Sequence, residues 1–152
     1  MNQYPIVAFA GPINSGKDTA CDELVRTYGA TKVAWATIIY EVIAVILDVP
    51  VADIANKVVP RNEPLERLGG KTLRWAMESL GTEWGRDLIH PNLWVILTGY
   101  AIKKHRGEGP VVVTGTRFSN EAECIRKLGG IVIECIRDGC DYDPTHESRR
   151  GL

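Results

Sequence analysis

One glycine-rich segment near the start of the chain constrains its fold more than any other feature. Residues 11–19, the glycine loop, read Gly11-Pro-Ile-Asn-Ser-Gly16-Lys17-Asp18-Thr19 and have the spacing G-x-x-x-x-G-K. An apolar run over residues 4–10 predicts a buried strand before the loop, and apolar positions three and four apart after Lys17 predict an amphipathic helix that ends near Gly29. A strand, a glycine turn and a helix N-terminus in this order wrap backbone N–H groups around a phosphate.

The glycine loop carries the side chains that phosphate chemistry needs. Its glycines let the backbone approach a phosphate closely, and Lys17 places a full positive charge on the β- and γ-phosphates. Asp18 stands where the general motif has the Ser or Thr that binds Mg²⁺, and Thr19 follows one place later. Either residue can hold the metal, or Asp18 can act near the transferred phosphoryl group. We therefore predict that the phosphates of a nucleoside triphosphate are bound by Gly11, Asn14, Ser15, Gly16, Lys17, Asp18 and Thr19.

The rest of the chain predicts an α/β fold with a mainly parallel sheet. Apolar β-branched runs at 110–114 and 131–136 bracket a predicted helix at 120–128 and form a β-α-β unit. Residues 31–36 predict a further strand, and residues 37–47 predict a helix that is apolar on nearly all sides. Helical spacing recurs over residues 72–80 and again from Asn92, whereas the proline-containing stretch 50–70 predicts loop and short helix rather than sheet.

Length, charge and cysteine content narrow the class of protein further. A chain of 152 residues suits one domain, and a net charge of −1 provides no general field that would attract nucleic acid or an anionic membrane. The four cysteines form no C-x-x-C pair and the longest apolar stretch is too short to span a bilayer, so we expect a cytoplasmic protein with reduced thiols and no zinc site.

Three segments of the sequence resemble the bacteriophage deoxynucleoside monophosphate kinases. They are Ser15-Gly-Lys-Asp-Thr19, the block from Thr72-Leu-Arg74 through Leu80-Gly-Thr-Glu83-Trp84-Gly-Arg86 to Asn92-Leu-Trp94-Val95, and Arg117-Phe-Ser-Asn120-Glu121-Ala122. The resemblance implies a three-layer P-loop fold like that of the nucleoside monophosphate kinases, and transfer of the ATP γ-phosphate, with Mg²⁺, to a deoxynucleoside 5′-monophosphate. It also implies one domain over residues 1–152, with residues 50–109 as a helical substrate-binding insert and residues 137–152 as lid and tail.

The resemblance also assigns roles to individual residues. Arg74, Arg86 and Arg117 would bind the acceptor phosphate, and Arg137 would neutralise charge from a lid during transfer. Trp84 would offer its face to the base, and Glu83 would bind a sugar hydroxyl or an exocyclic amine. Each residue also has an ordinary structural alternative: an Arg74–Glu78 pair on a helix, Trp84 in the core, Glu83 beside Arg86, or Arg137 in a surface loop.

Two departures from the family pattern leave alternatives open. Family members often place an Asp near the end of the strand before the Arg-Phe pair, but this chain has Thr114-Gly115-Thr116, and it stops at Leu152 where relatives continue with a strand and a helix. A shortened sheet would be compatible with a homodimer, a minimal fold or lost activity. A phosphomevalonate-like kinase, which shares the Ser-Gly-Lys-Asp loop, and a non-catalytic nucleotide-binding protein are the alternatives to a deoxynucleotide kinase.

Overall fold

The computed structural model of the protein describes residues 4–140, which form two compact units. The helical unit is Ala36–Trp94, and the sheet unit comprises the described residues on either side of it. In chain order the elements are β1 (Ile6–Ala10), α1 (Lys17–Tyr28), β2 (Thr31–Ala34), α2 (Thr37–Leu47), α3 (Val51–Ala55), β3 (Pro64–Leu65), a 3₁₀ turn (Glu66–Leu68), β4 (Lys71–Thr72), α4 (Leu73–Ser79), a π-helix (Leu80–Ile89), α5 (Leu93–Arg106), β5 (Val111–Thr116), α6 (Ser119–Lys127) and β6 (Ile131–Glu134).

The sheet unit is built on four parallel strands in the order β2-β5-β1-β6. The central strands are apolar on both faces because helices cover the sheet on both sides. On one face, Ile6, Val111 and Val113 pack in a core with Ile102 of α5 and Ile125 of α6. On the other, a second core joins Phe9, Val112, Ala30 and Cys21 of α1. The predicted α/β class, parallel sheet and helices on both faces are confirmed.

The helical unit has its own core, formed where α2, α3 and α4 meet. Ile39, Ile43 and Leu47 lie on one side of α2 and pack with Ile54, Leu73 and Trp94. The opposite side of α2 is apolar but open, and Val45 is 81% exposed. The helix bounds at 37–47 were predicted correctly.

A small hairpin lies where the sequence predicted no sheet. Pro64 of β3 pairs with Thr72 of β4, and Leu65 pairs with Lys71, in an antiparallel ladder of two residues per strand. The turn between them ends in two glycines with positive φ, Gly69 at 61° and Gly70 at 83°. Glycine adopts this backbone at little steric cost, which is why the chain can reverse here.

The π-helix is the other element that the sequence did not predict. It begins where α4 ends, at Leu80, and contains two glycines that read as helix breakers. Contacts within the helical unit hold it together: the Trp94 indole Nε1 donates a hydrogen bond of 2.7 Å to the Gly81 carbonyl, and the Trp94 ring lies against Gly85. Long π-helices are rare and π-helical turns are frequent at functional sites.

We predict that Gly85→Ala destabilises the protein, because its new Cβ would collide with the Trp94 ring. Overpacking of this kind costs about 1–3 kcal/mol. Gly99→Ala in α5 is the matched control, since its Cβ would lie 3.6 Å from the Cys124 Sγ, an ordinary contact. Urea unfolding should show a lower midpoint for the first variant and an equal or higher one for the second; equal midpoints for Gly85→Ala and the wild type would refute this packing.

Candidate functional site

The candidate site lies at the edge of the sheet where the parallel strands end. Because all four strands run in the same direction, the residues that follow them are gathered at one edge, which is where open α/β sheets bind ligands. The glycine loop follows β1, Arg117 follows β5, and Cys135 follows β6. This edge therefore brings together residues that are far apart in the sequence.

The glycine loop depends on close backbone approach at its first glycine. Gly11 has φ 142°, and a Cβ there would lie 2.6 Å from the carbonyl oxygen of Cys135. Gly16 has φ 94° and occupies the N-cap position of α1, while Asn14 has φ 66°. Left-handed conformations turn the chain so that successive N–H groups can face a common anion at the helix N-terminus. The backbone thus fits the predicted phosphate site.

Lys17 lies across the loop with its charge poorly solvated. Its side chain is 7% exposed, and its Nζ donates a hydrogen bond of 2.9 Å to the Pro12 carbonyl. Burial is the main cause that lowers the pKa of Lys17 below 10.5, Asp18 opposes this shift, and the positive charge of Arg117 adds to it. An anion bound in the loop would favour the protonated ammonium, so these residues fit a phosphate group.

Asp18 is held by a hydroxyl from the neighbouring strand. Thr114 Oγ1 on β5 donates a hydrogen bond of 2.6 Å to Asp18 Oδ1, and Thr114 is buried whereas Asp18 is exposed. Thr114 also contacts the Cys21 thiol, and that contact opposes the rise in the pKa of Cys21 caused by burial. The hydrogen bond from Thr114 therefore orients the Asp18 carboxylate, and the rest of this side chain is exposed to solvent. Thr19, the other predicted metal ligand, is also exposed.

Two of the predicted arginines belong to this edge of the sheet. Arg137 donates from Nη1 to the Asn14 carbonyl over 3.4 Å, which places it on the glycine loop. The turn at Arg117 is held by buried Glu121, which accepts hydrogen bonds from the N–H groups of Arg117 (2.8 Å) and Phe118 (3.2 Å). Helix α6 begins at Ser119, and the Glu121 side chain caps its N-terminus.

The remaining predicted substrate residues lie in the helical unit. Arg74 donates from Nε to Asn62 Oδ1 over 2.8 Å. Among residues 4–140 it forms no ion pair, so the alternative of an Arg74–Glu78 pair was wrong. Arg86 donates from Nη1 to the Gly81 carbonyl of its own π-helix over 3.0 Å. Glu83 is exposed, and so is Trp84, although Trp84 also lies 6.4 Å from Trp94 between ring centroids. Convergence of Arg74, Arg86 and Arg117 on one phosphate stays a prediction.

Two residues with notable contacts belong to no sequence motif. Thr114 did not stand out because a threonine in an apolar strand is ordinary, and only the fold brings it to Asp18. Arg61 lies in a loop without a motif, and only the structure shows that its carbonyl accepts the Arg74 N–H over 2.9 Å. A polar residue close to the carboxyl end of a parallel strand was the one signal that could have drawn attention to Thr114.

Other kinds of site find no support in the described part of the chain. All four cysteines are free, and residues 4–140 contain no group of three or more His, Cys, Asp or Glu side chains arranged to hold a metal ion. Across the same residues, every helix is too short or too polar to cross a bilayer.

The chain is similar to viral proteins named as deoxynucleotide kinases. It is 26% identical over 153 aligned positions to the "Putative deoxynucleotide monophosphate kinase" of Acanthamoeba polyphaga mimivirus, an alignment that covers 94% of this chain and 79% of the mimivirus protein. It is 32% identical over 63 positions to the "Deoxynucleoside-5'-monophosphate kinase" of Escherichia phage T5, which covers 41% of this chain and 25% of the phage protein. No protein-family model matches the chain.

Proposed function

We propose that this protein transfers the γ-phosphoryl group of ATP to a deoxynucleoside 5′-monophosphate, giving ADP and the deoxynucleoside diphosphate. The observation that carries the proposal is the glycine loop, in which a poorly solvated Lys17 lies near Arg117 and the loop carbonyl of Asn14 is contacted by Arg137. Three cations around one helix N-terminus fit a highly charged anion such as a triphosphate. The relatives' names supply the acceptor class.

The donor side of the reaction rests on residues of the sheet unit. The backbone of Gly11, Asn14, Ser15 and Gly16 would surround the β- and γ-phosphates, with Lys17 supplying a full charge. Arg137 and Arg117 would offset the negative charge that accumulates as the γ-phosphoryl group moves. Because Lys17 is held by the Pro12 carbonyl, the ammonium is already at the loop before nucleotide binds. Little side-chain reorganisation is then needed on binding.

Mg²⁺ would be held on the same side of the site. Asp18 offers an exposed carboxylate at the start of α1, and Thr19 offers a hydroxyl, and both are oxygen donors of the kind that Mg²⁺ prefers. Mg²⁺ held there would supply positive charge that offsets the charge of the triphosphate during transfer. The end of β5 has no carboxylate, since it reads Thr114-Gly115-Thr116. Thr114 would act by keeping Asp18 oriented, rather than by contacting the ion itself.

The acceptor side rests on arginines that fix a monophosphate opposite the triphosphate. Arg74, Arg86 and Arg117 are the proposed contacts, because a dianion next to a triphosphate is repelled unless cations stand close to it. Trp84 would stack on the base and Glu83 would bind a sugar or base group, and both side chains are exposed. Correct alignment of the two phosphates would supply much of the rate, as in other phosphoryl transfers.

A nucleotide-binding protein without turnover is the second candidate. The observation that favours it is Gly115, which has φ 77° and leaves the end of β5 without the acidic side chain that P-loop enzymes use for the metal. Such a protein would bind ATP as tightly as an enzyme but would release no ADP in response to an acceptor.

We predict ADP release that depends on an added deoxynucleoside monophosphate and is lost in Lys17→Ala. A coupled assay over the four deoxynucleoside monophosphates and their ribonucleotide counterparts would reveal the acceptor, and phosphomevalonate would test the related kinase. Lys32→Ala is the control, because Lys32 is a surface lysine paired with Asp22 at 2.6 Å and should leave the rate unchanged. Tight ATP binding without acceptor-dependent ADP release would favour the non-catalytic alternative.

We predict that Thr114→Val weakens the dependence of ATP binding on Mg²⁺, because Asp18 loses the hydrogen bond that orients it. Calorimetry with Mg²⁺ and with EDTA should show that the gain in affinity due to the metal falls about tenfold, whereas Thr114→Ser retains it. Thr116→Val serves as control, since that buried hydroxyl accepts from Trp35 Nε1 and does not contact Asp18. An undiminished Mg²⁺ effect in Thr114→Val would show that this hydrogen bond does not contribute to metal binding.

A further inference from the structure

Arg61, which no sequence motif includes, lies beside Arg74 in the helical unit. The Arg74 N–H donates to the Arg61 carbonyl over 2.9 Å, so the two residues are neighbours although thirteen positions apart. Arg61 Nη2 donates to the Tyr40 hydroxyl over 3.4 Å, and Arg74 Nε donates to Asn62 Oδ1 over 2.8 Å. The Arg61 guanidinium group is thus held by a residue of α2, and the Arg74 guanidinium group is held by Asn62, the residue that follows Arg61.

These two guanidinium groups have no negative partner in the part of the chain that the structure describes. Two other arginines are paired with carboxylates, Arg67 with Asp48 at 3.4 Å and Arg26 with Glu23, whereas Arg106 and Arg137 donate to backbone carbonyls. Within residues 4–140, no carboxylate lies within ion-pairing distance of Arg61 or Arg74, and their side chains donate to a hydroxyl and an amide oxygen. Neutral partners fix the direction of a guanidinium group but leave its charge uncompensated.

This arrangement is unfavourable without an anion. Both arginines are partly buried, and Arg61 Nε is shielded from solvent with no hydrogen-bond partner in the described chain. The hydrogen-bonded backbones bring two positive residues into one region, where no described carboxylate offsets their charge. An unpaired charged N–H that is shielded from water adds a further cost. Proteins retain such unfavourable charges mainly at functional sites, where a bound ligand supplies the opposite charge.

We propose that Arg61 and Arg74 together bind the phosphate of a phosphate monoester, with Tyr40 and Asn62 holding the two guanidinium groups in position. The proposal rests on the proposed function and deepens it, since this monoester would be the acceptor. A monoester near neutral pH carries close to two negative charges, which matches two guanidinium groups, whereas the phosphodiester of a nucleic acid carries one per phosphate. Planar guanidinium forks also suit the three free oxygens of a monoester.

The test compares a nucleotide with the nucleoside that lacks its phosphate. With the glycine loop saturated by a non-hydrolysable ATP analogue and Mg²⁺, calorimetry would measure binding of each deoxynucleoside monophosphate and of the matching deoxynucleoside. Arg61→Gln and Arg74→Gln should each weaken monophosphate binding about 10- to 100-fold and leave deoxynucleoside binding unchanged. Arg61→Lys should lie between Arg61→Gln and the wild type, because it keeps the charge but loses the fork.

Arg67→Gln is the matched control, because Arg67 belongs to the same unit but is exposed and paired with Asp48. It should bind both ligands like the wild type. If Arg61→Gln binds the monophosphate normally while the wild type is an active kinase, the inference fails and the proposed function stands. If it weakens nucleoside and nucleotide equally, Arg61 is merely structural and the inference also fails. If the wild type binds no deoxynucleoside monophosphate, the proposed function fails and the acceptor site with it.

Discussion

The close approach of Gly11 to the Cys135 carbonyl sets the geometry on which the candidate site depends. Cys135 follows β6 and its N–H donates to the Ala10 carbonyl over 2.8 Å, so the end of β6 continues along β1 up to the first residue of the glycine loop. Any side chain at position 11 would push these two segments apart. The loop therefore leads from β1 to α1, which begins at Lys17, in a geometry that requires two things: β1 and β6 must be parallel neighbours, and residue 11 must be glycine.

The orientation of Asp18 also depends on the sheet, because its hydrogen-bond donor, Thr114, lies on β5. In P-loop enzymes a hydroxyl from the loop and an acid from a neighbouring strand share the metal site. This chain has the same two chemical groups in exchanged places, with the acid on the loop side and the hydroxyl on β5. A carboxylate at the start of a helix is also stabilised by the helix dipole. The absence of an acid at Gly115 is therefore compatible with metal-dependent binding.

Local pattern was enough to predict most elements but not the contacts that define the site. The bounds of α2 and the ends of α1 followed from apolar spacing and from Gly29, whose φ of 63° ends the helix. The π-helix did not follow, because Gly81 and Gly85 are poor helix formers locally and the stabilising partner, Trp94, lies beyond the helix. Loop residues 11–19 could be assigned from spacing, whereas Arg61 and Thr114 acquire their neighbours only through tertiary structure.

The proposed reaction needs locally placed charges, since the net charge of −1 offers no general attraction for nucleotides. The cations at the glycine loop and the arginine pair in the helical unit each suit one phosphate-bearing reactant. The most direct test of the account is to follow γ-³²P-labelled ATP in the presence of a deoxynucleoside monophosphate and identify the labelled product by chromatography. For a deoxynucleoside monophosphate kinase, label should appear in the deoxynucleoside diphosphate at the same rate as ADP forms. Label released only as inorganic phosphate, or retained in ATP, would contradict it.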